Sequence, residues 1–167
     1  SKGLVVGASL DDTTGIVHHR IIEQMTDLFL LQGSKYVQSI ISVDILRKVK
    51  VALREGRLVL FTGTPCQIAG LHHFLRKSYD NLLTVDVICH GTPSPKVWSR
   101  YLDEVVTAGR KAINDVQFRN KNNGWKKFNF VLSYNHEEIS HSLSSWFATN
   151  HYMRAFLHDM ILRPSCY

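Results

Sequence analysis

The sequence predicts an α/β fold: a mixed sheet with parallel β-loop-α units plus an antiparallel segment, gathered in a single domain. Three observations lead there. Two apolar stretches, residues 58–61 and 82–89, each run into a Gly-Thr-Pro loop and then into a helix-forming segment. β-branched residues crowd the opening of the chain, at Val5, Val6, Ile16, Val17, Ile21 and Ile22. Downstream of Ala112, three stretches alternate roughly with period two. The 167 residues are 44% hydrophobic and 20% charged with 10 Gly and 4 Pro, which excludes a disordered or collagen-like chain and suits one domain with a real core.

Taken in order, residues 4–8 read as a buried strand and residues 15–22 as its hairpin partner, joined through the turn-forming Asp11, Asp12, Thr13 and Thr14. Thr26 and Asp27 resemble a helix N-terminus ahead of the short apolar run 28–31, and residues 32–35 form a loop into a strand at 36–40. Ser42 and Asp44 cap and charge an amphipathic helix whose Ile45, Leu46, Val49, Ala52 and Leu53 share one stripe, and Gly56 ends it. The strand at 58–61 and the loop at 62–64 lead into a helix entered at Pro65 that carries Leu71, Phe74 and Leu75. The strand at 82–89 repeats the plan, with Ser94 as cap, Pro95 in the first turn, and Trp98, Tyr101, Leu102, Val105 and Val106 facing inward. Continuous apolar strands of this kind imply parallel neighbours covered on both faces. Residues 112–118, 127–134 and 138–143 read as antiparallel strands with Asn135 and His136 at a turn. A last helix over 149–162 aligns Tyr152, Met153, Phe156, Leu157 and Met160 before Pro164 stops it.

Composition narrows function without choosing it. The net charge of +6 admits an anionic partner such as a phosphate-bearing cofactor or nucleic acid. The cations Arg47, Lys48, Lys50 and Arg54 fall on the polar side of an amphipathic helix, which reads as a solvated face and not as a nucleic-acid surface. No apolar run approaches the roughly 18 residues of a membrane span. Three cysteines are too few and too odd in number for a disulfide framework and fit a reducing, cytoplasmic setting. The chain opens on Ser1-Lys2 and stops at Ser165-Cys166-Tyr167, which reads as a piece cut from something larger.

The two Gly-Thr-Pro loops are the places where chemistry belongs, since ligands of open α/β sheets bind where strands end and helices begin. Gly63 and Gly91 permit close backbone approach. The first-turn amides after Thr64 and Ser94 are expected to point outward, unpaired, with the positive end of each helix dipole. Neither a nucleoside-triphosphate loop nor a Gly-x-Gly-x-x-Gly fingerprint is present. Cys66 falls at the second position of its helix, where a thiolate is favoured. That leaves open a thiol enzyme in which Cys66 is the nucleophile, helped by a histidine such as His90. Cys89 reads as a small buried hydrophobe at a strand end. The nine histidines include the pairs His18-His19 and His72-His73, but no spacing among them fits a metal site. Arg119, Lys121 and Trp125 form a basic-aromatic stretch able to meet phosphates and a flat ring system, or else a solvated loop.

Four blocks carry a resemblance: residues 33–39, Gly-Ser-Lys-Tyr-Val-Gln-Ser; residues 59–71, which include Thr-Gly-Thr-Pro-Cys-Gln-Ile-Ala-Gly; residues 86–95, which include Cys-His-Gly-Thr-Pro; and Phe118-Arg119-Asn120-Lys121 with Gly124-Trp125. In this order they resemble the beta-subunit family of coenzyme F420 hydrogenases and dehydrogenases, over nearly the whole chain. The resemblance implies the flavin-binding core, residues 1–167, of an iron–sulfur flavoprotein oxidoreductase that is truncated at both ends. Such a protein passes electrons between [4Fe–4S] clusters and FAD, and on to the deazaflavin F420 or another acceptor, with a ferredoxin-like module or redox subunit as partner. It further implies that Lys35, Gly63, Thr64, Pro65, Cys66, Gln67, Cys89, His90, Gly91, Arg119, Lys121 and Trp125 line the flavin pocket. Cys166 would be the first thiolate of a cluster motif, and no side chain need act as acid or base. The cysteine-rich module and the Ser-Gly-Gly segment of the family do not precede Leu4 here. The chain alone is therefore expected to be inactive, to bind no cluster and to hold FAD weakly.

Overall fold

The computed structural model describes residues 3–12, 14–106, 113–136 and 139–166. Thr13 of the predicted first turn, and Ala112 and Glu138 at the predicted starts of two strands, lie outside the described residues. So do Ser1, Lys2 and Tyr167. The described chain is mixed α/β, as its sequence predicts. It divides into two compact units that interleave in sequence: residues 1–9, 18–32 and 39–90 form the first, and residues 10–17, 33–38 and 91–167 the second.

The first unit is built on a four-stranded sheet of β1 (Leu4–Leu10), β2 (Val17–Ile22), β3 (Val59–Gly63) and β4 (Leu82–Asp86), in the order β2-β1-β3-β4. β3 runs parallel to both β1 and β4, with Val6 opposite Phe61 and Phe61 opposite Thr84. Parallel neighbours need a crossover, and two helices supply it: α1 (Val43–Arg54) before β3, and α2 (Pro65–Leu75) between β3 and β4. α1 starts where Ser42 Oγ accepts from the Ile45 amide and ends at Gly56, whose φ of 76° is the left-handed conformation that glycine adopts without cost. Its Val49, Ala52 and Leu53 pack with Leu71 and Leu75 of α2 on Leu4, Val6, Val59 and Phe61, which all project from one face of the sheet. On the opposite face Leu31 packs at Gly7, Leu58 and Leu83 are exposed, and a shallow apolar groove runs over them past Met25 and Leu28.

The second unit pairs β5 (Ile113–Asn120), β6 (Asn129–His136) and β7 (Ile139–Trp146) into an antiparallel sheet. Its core is aromatic. The Trp98 ring of α3 (Pro95–Val105) lies 5.1 Å from Phe118 and 4.9 Å from Tyr152 of α4 (His151–Leu157), with Phe130 at 6.5 Å. Trp98 Nε1 donates to the Gly15 carbonyl at 2.7 Å, so the one polar atom of the buried indole is satisfied.

Several expectations are corrected. The strand predicted at 36–40 is reduced to a single bridge between His18 and Ile40. Two of its carbonyls are claimed by side chains, Tyr36 O accepting from the Tyr152 hydroxyl and Ser39 O from Gln67 Nε2, while Ile40 O accepts from the His19 amide. The strand predicted over 82–89 stops at Asp86 and is not covered on both faces. It is an edge strand, paired with β3 alone among the described residues, and its Leu83 is 62% exposed. Past its end Ile88 and Cys89 are exposed, so Cys89 is not a buried hydrophobe. The last helix runs only over His151–Leu157, since Asp159 turns left-handed (φ 60°) and the Met160 amide closes on the Ala155 carbonyl, a helix-ending pattern that leaves Met160 outside the core. The segment Met25–Leu31, predicted as a helix start, forms a 3₁₀ helix.

Candidate functional site

In the first unit the candidate residues gather where β3 gives way to α2. Pro65 takes the first helical position and Cys66 the second, with Thr64 as the cap. Gln67 fixes this loop at both ends of its amide: Oε1 accepts from the Thr64 amide at 3.0 Å, and Nε2 donates to the Ser39 carbonyl at 3.0 Å. The Gly63 carbonyl accepts from the Val87 amide at 3.0 Å. Gly63 has a reason inside the chain, since a Cβ there would sit 3.1 Å from Gln67 Oε1. The outward, unpaired amides expected of this first turn are fewer than foreseen. Pro65 has none, and those of Gln67 and Ile68 turn back onto the Thr64 carbonyl at 2.9 and 3.0 Å, leaving Cys66 as the first-turn amide without a backbone partner among the described residues. The Cys66 thiol is exposed, with Sγ 3.1 Å from Thr64 Oγ1. Cys89 and His90 follow the end of β4 in the same unit, both exposed.

A residue outside the predicted set completes this loop. His19 of β2 is 2% exposed and stacks on Phe61 with ring centroids 5.3 Å apart. Its Nε2 lies 3.0 Å from the Thr62 carbonyl and its Nδ1 2.7 Å from Ser39 Oγ. A carbonyl can only accept, so Nε2 carries the proton and Nδ1 accepts from the serine hydroxyl. Burial holds its pKa below the ordinary histidine value, opposed by the Thr62 bond and reinforced by the neighbouring His18. Strand alternation is the signal that could have found it, since His19 shares the inward phase of Val17.

In the second unit, Arg119, Lys121 and Trp125 do come together at the β5 end. Lys121 Nζ stands 3.4 Å over the Trp125 ring, and the Arg119 guanidinium 4.9 Å over Phe128 and 5.7 Å from Trp125. Phe128, which composition does not single out, stacks on Phe147 at 4.3 Å. Arg119 Nε is buried with no partner among the described residues. Lys35 is half-buried and donates to the Gly33 carbonyl at 3.3 Å; burial lowers its pKa and the Asp115 carboxylate partly restores it. Gly91 adopts φ 133°, and a Cβ there would meet Leu162 Cδ1 at 2.6 Å. The helix start after Ser94 is likewise turned inward, the Val97 and Trp98 amides bonding to the Ser94 carbonyl. Cys166 is half-buried, and its thiol pKa is lowered, first by the Thr92 amide and then by the Thr92 hydroxyl and the Arg163 guanidinium. Among the described residues no three His, Cys, Asp or Glu side chains cluster as metal ligands would.

The family model for the C-terminal part of the coenzyme F420 hydrogenase/dehydrogenase beta subunit matches residues 56–167, well over half of the chain. The chain belongs to the coenzyme F420 hydrogenase/dehydrogenase beta-subunit family. The match takes in both Gly-Thr-Pro loops, the Arg119 segment and Cys166. The family is one of hydrogenase and dehydrogenase subunits, that is, of oxidoreductases. No curated protein sequence matches. Among solved structures, the F420-reducing [NiFe] hydrogenase complex from Methanosarcina barkeri contains a chain with the same fold, at a TM-score of 0.56 and 14% identity over 98% of this chain. This F420 beta-subunit family member spans about half of that chain, 52%. No described helix is long and apolar enough to cross a membrane.

Proposed function

We propose that this chain is the flavin-binding core of an iron–sulfur flavoprotein oxidoreductase that passes electrons between [4Fe–4S] clusters and FAD, and on to a deazaflavin such as F420 or to another acceptor. The family match over residues 56–167 carries this reading, because the matched span holds nearly every residue with chemistry suited to such a cofactor. The solved structure containing a chain of the same fold is a hydrogenase complex, which supports partner subunits, and a ferredoxin-like module or redox subunit is the partner proposed here.

Each unit, taken by itself, holds groups of the kind that meet a flavin nucleotide. In the first unit, the Cys66 amide in the first turn of α2 has no backbone partner among the described residues and stands beside a thiol and a glycine-bearing turn, which suits a phosphate oxygen. In the second unit, Arg119 keeps a buried Nε donor unmatched, and Lys121 adds a cation over the exposed Trp125 ring. When bound, the flavin supplies both hydride and single-electron transfer. The chain's own share is charge and orientation. Lys35, with its lowered pKa, gives up a proton more readily than a surface lysine would. Cys166, whose environment favours thiolate, is suited to provide one sulfur of a cluster whose other ligands the described residues do not hold.

The test is titration of the protein with FAD, FMN and riboflavin, followed by flavin absorbance and fluorescence. FAD should bind more tightly than riboflavin, and Arg119→Ala or Lys121→Ala should each weaken FAD by about tenfold, the loss expected of one charged hydrogen bond. Equal affinity for FAD and riboflavin, or no flavin binding by the longest natural form of the protein, sinks the reading.

A further inference from the structure

The loop at Gly63–Gln67 is held from three sides, all within the first unit, and His19 holds the side that the flavin reading leaves unexplained. Thr62, Gly63 and Thr64 are consecutive, and each has one backbone group fixed by a different element. His19 of β2 donates to the Thr62 carbonyl at 3.0 Å, the Val87 amide after β4 donates to the Gly63 carbonyl at 3.0 Å, and Gln67 of α2 accepts from the Thr64 amide at 3.0 Å. The first and third of these clamps meet at one residue. Ser39 receives Gln67 Nε2 on its carbonyl at 3.0 Å and gives its hydroxyl to His19 Nδ1 at 2.7 Å. The chain Thr62–His19–Ser39–Gln67–Thr64 is thus a closed ring of hydrogen bonds around the turn. No member of it can rotate without breaking a bond that is buried or half-buried.

Burial alone does not call for a histidine here, since Val17, on the same phase of β2, is buried with an aliphatic side chain. What an aliphatic residue cannot do is donate from one edge and accept on the other. We propose that His19 is a positioning residue: through Thr62 and Ser39 it sets the conformation of the Gly63–Gln67 loop and so the direction of the Cys66 amide and thiol toward a bound phosphate. The ring nitrogens touch no reacting atom. Their effect is preorganisation, so that the loop does not have to be ordered when ligand arrives. The proposal rests on the flavin reading for the identity of the ligand, but not for the existence of the clamp.

The experiment compares His19→Leu, which keeps bulk and removes both bonds, with His19→Gln, whose amide can donate to Thr62 and accept from Ser39. Two readouts are taken on the full chain: amide hydrogen exchange of residues 62–68 with the alkylation rate of Cys66, and FAD affinity by titration. His19→Leu should raise exchange of the Thr64 amide and change Cys66 alkylation by about tenfold, while exchange in α1 stays as in the wild type. FAD affinity should fall by about tenfold, the loss of one net hydrogen bond's worth of preorganisation, and His19→Gln should recover both to within about threefold. Unchanged loop exchange in a folded His19→Leu overturns the proposal, as does equal loss in His19→Leu and His19→Gln. If His19→Leu fails to fold, Ser39→Ala, which cuts the same ring at its hydroxyl, decides between the same outcomes. If the wild type takes up no FAD, the flavin reading falls and exchange and alkylation still judge the clamp.

Discussion

His19 is kept neutral by burial, so the folded state binds its proton less readily than the unfolded chain does. Its contribution to stability is therefore complete above the ordinary histidine pKa of about 6.5 and is lost as the pH falls below that value toward the lowered folded one. Urea melts from pH 8 to pH 5 should show stability declining in that window, and His19→Gln should flatten the decline; a profile unchanged by the substitution refutes the assignment. Gly91 is a second case, because its φ of 133° and the Leu162 methyl 2.6 Å from a would-be Cβ leave no room for a side chain. Gly91→Ala should cost about 2–3 kcal/mol by denaturant melts, from strain and overpacking together. Trp98→Phe keeps most of the apolar surface but orphans the Gly15 carbonyl, and should cost about 1–3 kcal/mol on the same measurement. None of these partners is near in sequence, which is why only the residue types, and not their roles, are readable from the chain. Glycine before Thr-Pro looks like ligand chemistry, yet at Gly63 and Gly91 the nearest atoms belong to Gln67 and Leu162.

At the scale of elements, local signals and tertiary ones separate cleanly. The cap at Ser42, the proline start of α2 and the glycine after α1 are local chemistry, and each stands where the pattern puts it. Ser42→Ala should lower stability by about 1 kcal/mol with α1 otherwise intact, as thermal melts followed by circular dichroism would show. Helix α4 shows the limit of periodicity. The stripe Tyr152, Met153, Phe156, Leu157 and Met160 fits a helix to residue 162, but Asp159 turns left-handed and ends it at Leu157. The missing strand at 36–40 has the opposite cause: its β-forming residues are present, but the carbonyls of Tyr36 and Ser39 are taken by side chains distant in sequence.

At the largest scale described, one face of the mixed sheet in the first unit carries both helices, while Leu58, Leu83 and Met25 are exposed on that unit. The isolated chain should bind a hydrophobic dye and scatter light as concentration rises, and Leu58→Lys with Leu83→Lys should suppress both with little loss of stability, because neither side chain is buried. By itself the sequence determined the α/β class, the order of the strands and helices apart from the strand expected at 36–40, the repeated strand-loop-helix plan and the family. All of these are written in residue types at short spacing and in motifs that stay contiguous. Only the tertiary structure decided that β4 is an edge, that Cys89 is exposed, that the candidate residues fall into two separate compact units, and that His19 and Ser39 close a hydrogen-bonded ring around the first loop. Edge position, burial and the meeting of residues 19, 39, 62 and 67 depend on which segments the fold brings side by side. Periodicity reports which face a residue takes, but not whether anything lies against that face.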